Sequence, residues 1–313
     1  MPAAGQIWST YGLAGSGNPG MNREDLLDLV TMIDPWDTPF FSSAPKSTAQ
    51  LTLHEWLTDA LAATATGGRV EGEDFAASTL VARTRLNNLT QIFARHAVVS
   101  DTQRAVNPAG VRDEYEYQIM KAMREVARNV EARIWSVSGG AVTGTTAAAR
   151  VMSAFTDFIQ GAATTVNGKD VTITTALINT AMELAYTNGS NPDSLYVSPG
   201  TKSDLTAAAL PTQFARNLAA ADKRLVLNVD IYESDFGLLA VVPDRWMRQS
   251  TTSTGSAGAV LCERSKARIA FLLPIRHVPI AKAGDATRAM VVGELTLEIL
   301  HPSAHVRISG LIT

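Results

Sequence analysis

The sequence is poor in the residues that most site chemistry, and most membranes, require. One cysteine, Cys262, stands in 313 residues. That excludes an intramolecular disulfide framework and any cysteine-cluster metal or iron–sulfur site, and it suits a reducing compartment. Charge is scarce too: charged residues are 18% of the chain, and 27 Lys and Arg against 30 Asp and Glu leave a formal net charge of -3. A dedicated nucleic-acid clamp carries a basic excess, so this balance argues against one. The longest apolar runs, 238–242 and 269–273, fall far short of the roughly 20 residues of a membrane helix. Residues 1–18 lack a basic start and carry Gly, Ser and Thr where a signal peptide is continuously apolar. The expectation is a soluble chain that is not exported. What the chain does have is 46% hydrophobic residues and length enough for about two domains, or one core with large excursions.

Residues 1–20 are rich in Gly, Ala and Ser and read as a flexible arm. An amphipathic helix is expected at 22–33, with Asn22 as N-cap and Leu26, Leu27, Leu29, Val30 and Ile33 as its stripe. Asp34, Pro35 and Pro39 stop it, and Trp36, Phe40 and Phe41 read as anchors. Between 47 and 100 two alternating runs, around Leu51 and Leu53 and around 89–93, enclose small residues and glycines. This pattern predicts a long two-stranded excursion. Two strands alone are marginal in water and their edges invite pairing, so something outside the subunit is expected to cover them.

The strongest helix signal runs over 112–137, where Ile119, Met123, Val126, Val130 and Ile134 recur at helical spacing. Lys121, Glu125, Arg128 and Glu131 are placed on its solvent face, and Gly139 and Gly140 at its end. At full length this spine would measure roughly 39 Å. A hairpin-like turn is expected at Asn167-Gly168, a helix at 176–186, a buried strand at 195–197, polar helical material to about 221, and a hairpin pairing 229–232 with 238–242. The tail alternates Leu295, Leu297 and Ile299 with Thr296 and Glu298. The class is α+β, mostly antiparallel, without a βαβ rhythm.

The search for chemistry comes back empty. The stretch 139–146 lacks the lysine of a phosphate-binding loop, and no Gly-x-Ser-x-Gly elbow occurs. His301 and His305 have helical spacing, but Pro302 indicates a strand or turn, too extended for one ion to bridge them. His54-Glu55 lacks the second histidine of a zinc motif. Glu71, Glu73 and Asp74 beside Gly72 could bind a cation or act as acid and base; a solvated loop tip, or a complement to a basic patch on a neighbour, is the preferred reading. Arg264, Lys266 and Arg268 fit solubility or subunit ion pairs as well as phosphate contacts. Cys262 reads as a buried small hydrophobe, and Trp246 and Met247 as core or interface anchors. No catalytic, metal or cofactor-binding residue is assigned.

The order of the parts, with the segments 22–26, 34–43, 53–62, 88–93, 229–247, 281–286 and 293–298, resembles tailed-bacteriophage major capsid proteins of the Hong Kong 97-like fold. The resemblance implies an N-terminal arm at 1–46, an extended β-hairpin loop at 47–104 and a peripheral domain with the spine helix at 105–165. It further implies an axial domain at 166–258 and returning strands that complete the peripheral domain at 259–313. It implies a non-enzymatic structural protein, without cofactor, that builds the icosahedral head around double-stranded DNA and resides in the virion capsid after assembly in the host cytoplasm. The implied partners are the protein itself as hexamers and pentamers, a separate scaffolding protein (no long N-terminal scaffolding segment is recognised, a short-arm mechanism being the alternative), a portal, decoration proteins and non-specifically contacted DNA, with no membrane. Inter-subunit contacts are expected at Trp36, Phe40, Phe41, Leu53, Trp56, Glu71, Glu73 and Asp74. The alternatives are another virion component (decoration or tail) and a cytosolic hydrolase using His54, Glu55 and the acids at 71–74.

Overall fold

A computed structural model describes residues 32, 34–64, 66–68, 70–72, 74, 80–106, 110–136, 140–209, 230–247, 257–282 and 284–311. Most of the expected 22–33 helix, Glu73, the helical extension to 221 and most of the 249–258 loop lie outside these residues. In chain order the elements are α1 (Pro39–Ser43), β1 (Lys46–Thr48), β2 (Leu53–Thr58), β3 (Thr84–Leu89), β4 (Gln91–Ser100), α2 (Asp101–Ala105), α3 (Glu114–Ile134) and α4 (Phe155–Phe158). They continue as β5 (Thr165–Val171), α5 (Thr175–Thr187), β6 (Ser194–Val197), α6 (Pro199–Ala209), β7 (Ile231–Ser234) and β8 (Gly237–Pro243). The chain closes on β9 (Ala257–Cys262), β10 (Ala267–Ile280), β11 (Ala286–Ile299) and β12 (Val306–Leu311).

The spine helix α3 starts at Glu114 because the Asp113 side chain caps it, accepting from the Tyr115 amide, with Glu114 and Glu116 at the positive end of the dipole. Its 21 residues span about 32 Å, shorter than the sequence pattern suggests. Val126, Val130 and Ile134 bury one face against β4 and β11. Glu131 is a correction: it is not on the solvent face but fully buried.

Three sheets carry the fold: β1-β10-β11-β4, β5-β12-β9-β6-β8-β7 and the two-stranded β2-β3. The segment 259–313 is therefore divided. β10 and β11, 14 residues each, form a hairpin over the spine, while β9 and β12 enter the middle of the six-stranded sheet. β6 and β9 are buried on both faces. Tyr196, Val260 and Cys262 join the core around α3, whereas Leu195, Val197, Ala259 and Leu261 join a second core under α5. A continuous apolar strand such as 195–197 is what a position between two cores demands.

Asn167-Gly168 does not turn. It lies inside the single strand β5, which runs parallel to β12. A Cβ on Gly168 would lie 3.0 Å from Leu311 Cδ2 and 3.1 Å from the Ser309 and Gly310 carbonyl oxygens, so the glycine serves close approach of two strands. The expected hairpin is present with its strands at 231–234 and 237–243 rather than 229–232 and 238–242, residue 229 lying outside the described residues, and Gly189 ends α5 with φ +82°. Among the described residues no helix is long and apolar enough to cross a membrane.

Candidate functional site

The feature that most needs explaining is the excursion. β2 and β3 pair from Leu53↔Leu89 to Thr58↔Thr84. Their root is fastened to the polar face of β11, the face that the tail's alternation would give to solvent. Trp56 Nε1 donates to the Ile299 carbonyl at 2.7 Å, Asn88 Nδ2 to the Leu297 carbonyl at 2.8 Å and Thr296 Oγ1 to the Leu89 carbonyl at 2.9 Å. Glu298 Oε2 accepts from Ser47 Oγ at 2.7 Å and meets His54 Nε2 at 3.3 Å. Glu294 accepts from Thr90 Oγ1 at 2.6 Å and pairs with Arg150. Each buried carboxylate is thus held by a donor, which removes the penalty of burying it bare.

Past Thr58 and Thr84 this support ends. Arg83 meets Asp59 at 3.1 Å there, and within the paired strands Arg85 meets Glu55 at 3.5 Å, but these pairs are exposed, and such pairs contribute little. Leu61, Val70 and Leu80 are 96%, 76% and 88% exposed. Apolar side chains on a two-stranded projection are the mark of a surface that meets another chain.

The expected contact residues separate into three groups. Phe40 and Trp56 are committed within the chain, a correction to their expected role. Phe40 is fully buried, edge-on to Trp135, Phe155 and Tyr196 at 5.5, 5.7 and 5.6 Å, and Trp56 caps Ile299. Phe41 packs edge-on against Phe271, half-buried. Trp36, beneath the Arg124 guanidinium at 4.9 Å, Leu53, Glu71 and Asp74 are exposed, and Glu73 lies outside the described residues. The hydrolase constellation is not assembled: His54 turns to Glu298 while Glu55 faces Arg85. Cys262 is buried, and burial pushes its thiol well up.

Sequence reasoning missed the junction where the arm meets the spine. Glu131 Oε1 and Oε2 accept the Phe40 and Phe41 amides at 2.8 and 2.7 Å, capping α1, which has no side-chain cap of its own. Glu131 sits one position past Val130, at the flank of the apolar stripe, and only its partners from a remote segment distinguish it from a surface acid.

A spine helix under a long hairpin, a second sheet sharing its core, and an excursion with exposed apolar residues at its tip form the Hong Kong 97-like fold of solved phage capsid subunits. The cyanophage A-1(L) capsid subunit superposes with a TM-score of 0.70 at 13% identity, covering 95% of this chain and 99% of that one. The capsid subunit of cyanophage P-SCSP1u gives 0.64 at 10% identity, with 96% of each chain covered. The model of the SU10 major capsid protein family matches residues 9–312, and the chain belongs to that family. The major capsid protein of Escherichia phage Phieco32 is 32% identical over 103 residues, a match spanning 33% of this chain and 29% of that protein's length. The protein is accordingly a structural, non-enzymatic component of a virion capsid.

Proposed function

We propose that the chain self-assembles, as hexamers and pentamers, into the icosahedral shell that encloses the double-stranded DNA of a tailed phage. The observation that carries this is the excursion beyond Thr58 and Thr84: Leu61, Val70 and Leu80 are exposed in the single chain and would be covered by a neighbouring copy. Repeated heterologous contacts of this kind close by rotation into a shell. The arm, through exposed Trp36, is a second contact, and Glu71 and Asp74 at the tip meet basic surface on the neighbour. Within this reading the arm is 1–46, the extended loop 47–104 and the spine region 105–165. The axial domain, 166–258, borrows β9 and β12 from the returning strands. A separate scaffolding protein, a portal and decoration proteins complete the assembly. DNA meets a near-neutral wall without sequence readout, consistent with the charge of -3.

Electron microscopy of the purified protein tests the reading. Shells, tubes or capsomers are expected; a uniformly monomeric protein across assembly conditions overturns it. Duplex binding by free subunits is expected to be weak, and strong salt-sensitive binding would count against the neutral wall.

A further inference from the structure

The junction of arm, spine and second sheet holds two buried carboxyls. Glu131 on α3 and Asp244, the residue after β8, are both 0% exposed. Asp244 Oδ1 accepts the Trp246 amide at 2.8 Å, and the Trp246 indole donates to the Asp37 carbonyl at 3.1 Å. Asp244 Oδ2 is buried and meets no donor among the described residues, yet it belongs to the side chain that faces Glu131. Lys46 on β1 and Tyr196 on β6 also feel Glu131, and around the junction Arg245 pairs with Asp37 at 3.6 Å while the Arg128 guanidinium lies 5.8 Å from the Trp246 ring centroid. Lys46 Nζ donates to the Phe41 carbonyl and sits 4.3 Å from that ring's centroid, and the Tyr196 hydroxyl meets Ser43 Oγ at 3.2 Å. Neither is drawn into an ion pair with the carboxyls. Even with the Phe40 and Phe41 amides and the Trp135 indole, 3.4 Å away, donating to Glu131, two adjacent ionised carboxylates in such a place are costly, whereas a proton on Glu131 satisfies the orphaned oxygen of Asp244.

We propose that the Glu131 carboxyl keeps its proton in the folded chain and donates it to Asp244 Oδ2, and that this bond is a latch, seating segment 37–46 on the spine while the proton is present and releasing it when the proton leaves. The latch is a property of the single chain and goes beyond the shell reading. Burial foremost, then the Asp244 hydrogen bond and charge, pushes the Glu131 carboxyl up to about 9, against the pull of the Phe41 and Phe40 amides. An unfolded chain loses this proton near the ordinary value of 4.5. The stabilisation is therefore full below 4.5 and is lost as pH climbs to about 9, the unfolding constant rising about tenfold per pH unit in between.

Infrared spectroscopy of the intact protein at pH 7, where ordinary carboxyls are ionised, is expected to show one protonated carboxyl per chain. The band should vanish as pH passes about 9 and be absent from Glu131→Gln. Its absence from the wild type, or its persistence in Glu131→Gln, overturns the Glu131 proton. The latch is read by trypsin cleavage after Lys46. From pH 7 to pH 10 the wild type should accelerate at least about tenfold more than Asp244→Asn, whose amide supplies a donor where the proton stood. Equal acceleration overturns the latch. If Asp244→Asn does not fold, wild-type cleavage after Lys46 is compared with cleavage after Arg133, and parallel acceleration is the overturning result. The infrared band in a protein that forms no shells would keep the latch and sink the shell reading.

Discussion

Phe40 and Trp36 lie four residues apart on one arm and have opposite consequences. Truncating Phe40 empties a site walled by Trp135, Phe155 and Tyr196, so Phe40→Ala is expected to cost about 3–5 kcal/mol in urea unfolding. Trp36 is 54% exposed and its main partner is Arg124. Trp36→Ala should cost no more than about 1 kcal/mol of stability while lowering the yield of assembled particles. His305 sets an acid-side dependence. It is buried edge-on to Phe155, its Nδ1 accepts the Glu263 amide at 3.3 Å, and burial pushes it down to about 3. The unfolded chain gains this proton near 6.5, so the stabilisation is full above 6.5 and is lost as pH falls toward 3. His305→Asn, which keeps an acceptor for the Glu263 amide, should flatten that part of the stability–pH curve relative to wild type.

Among the elements, the spine helix was legible because its apolar stripe is local, although the Asp113 cap that sets its start was not read, and the 231–243 hairpin because Gly237 marks its turn. β5 was not legible: Asn167-Gly168 carries a turn signal, but Leu311, more than 140 residues away, is what requires the glycine. β11 misleads in the same manner. Its Thr296 and Glu298 alternate like a solvent face, yet the excursion root covers them, the Leu89 carbonyl accepting from Thr296 and the Ser47 hydroxyl donating to Glu298. Local pattern reports the period of a strand, while the partner on its polar face comes from elsewhere in the chain. The β10–β11 hairpin contains its own close approach, since a Cβ on Gly293 would sit 2.6 Å from Ile275 Cγ1 and 3.1 Å from Ile275 Cα, beside the register shift between Leu273 and Arg276. Gly293→Ala is expected to destabilise by about 1–3 kcal/mol. Ile275→Ala should recover part of that, because it removes the Cγ1 clash but leaves the backbone contact; a double-mutant cycle measures the coupling.

At the scale of the molecule, the two cores and the excursion are separable in what they do. Replacing 61–80 with a short Gly-Ser turn leaves β2, β3 and every bond from the root to β11 in place. That variant should unfold like the wild type yet fail to form particles by electron microscopy; normal particles would show that the tip is dispensable. Hydrogen exchange should agree. Amides at 61–64 should gain protection on assembly, while Trp56, already buried against Ile299, should change little. The strands β6 and β9 have a mechanical consequence. Because alternate side chains of each are keyed into different cores, a one-residue slip would unseat both cores at once. Bending imposed on the spine is therefore carried straight into the second sheet, and the body responds as one stiff plate. In a container loaded from within, such a plate yields last at its middle and first along its rim, at the joints it makes with its neighbours.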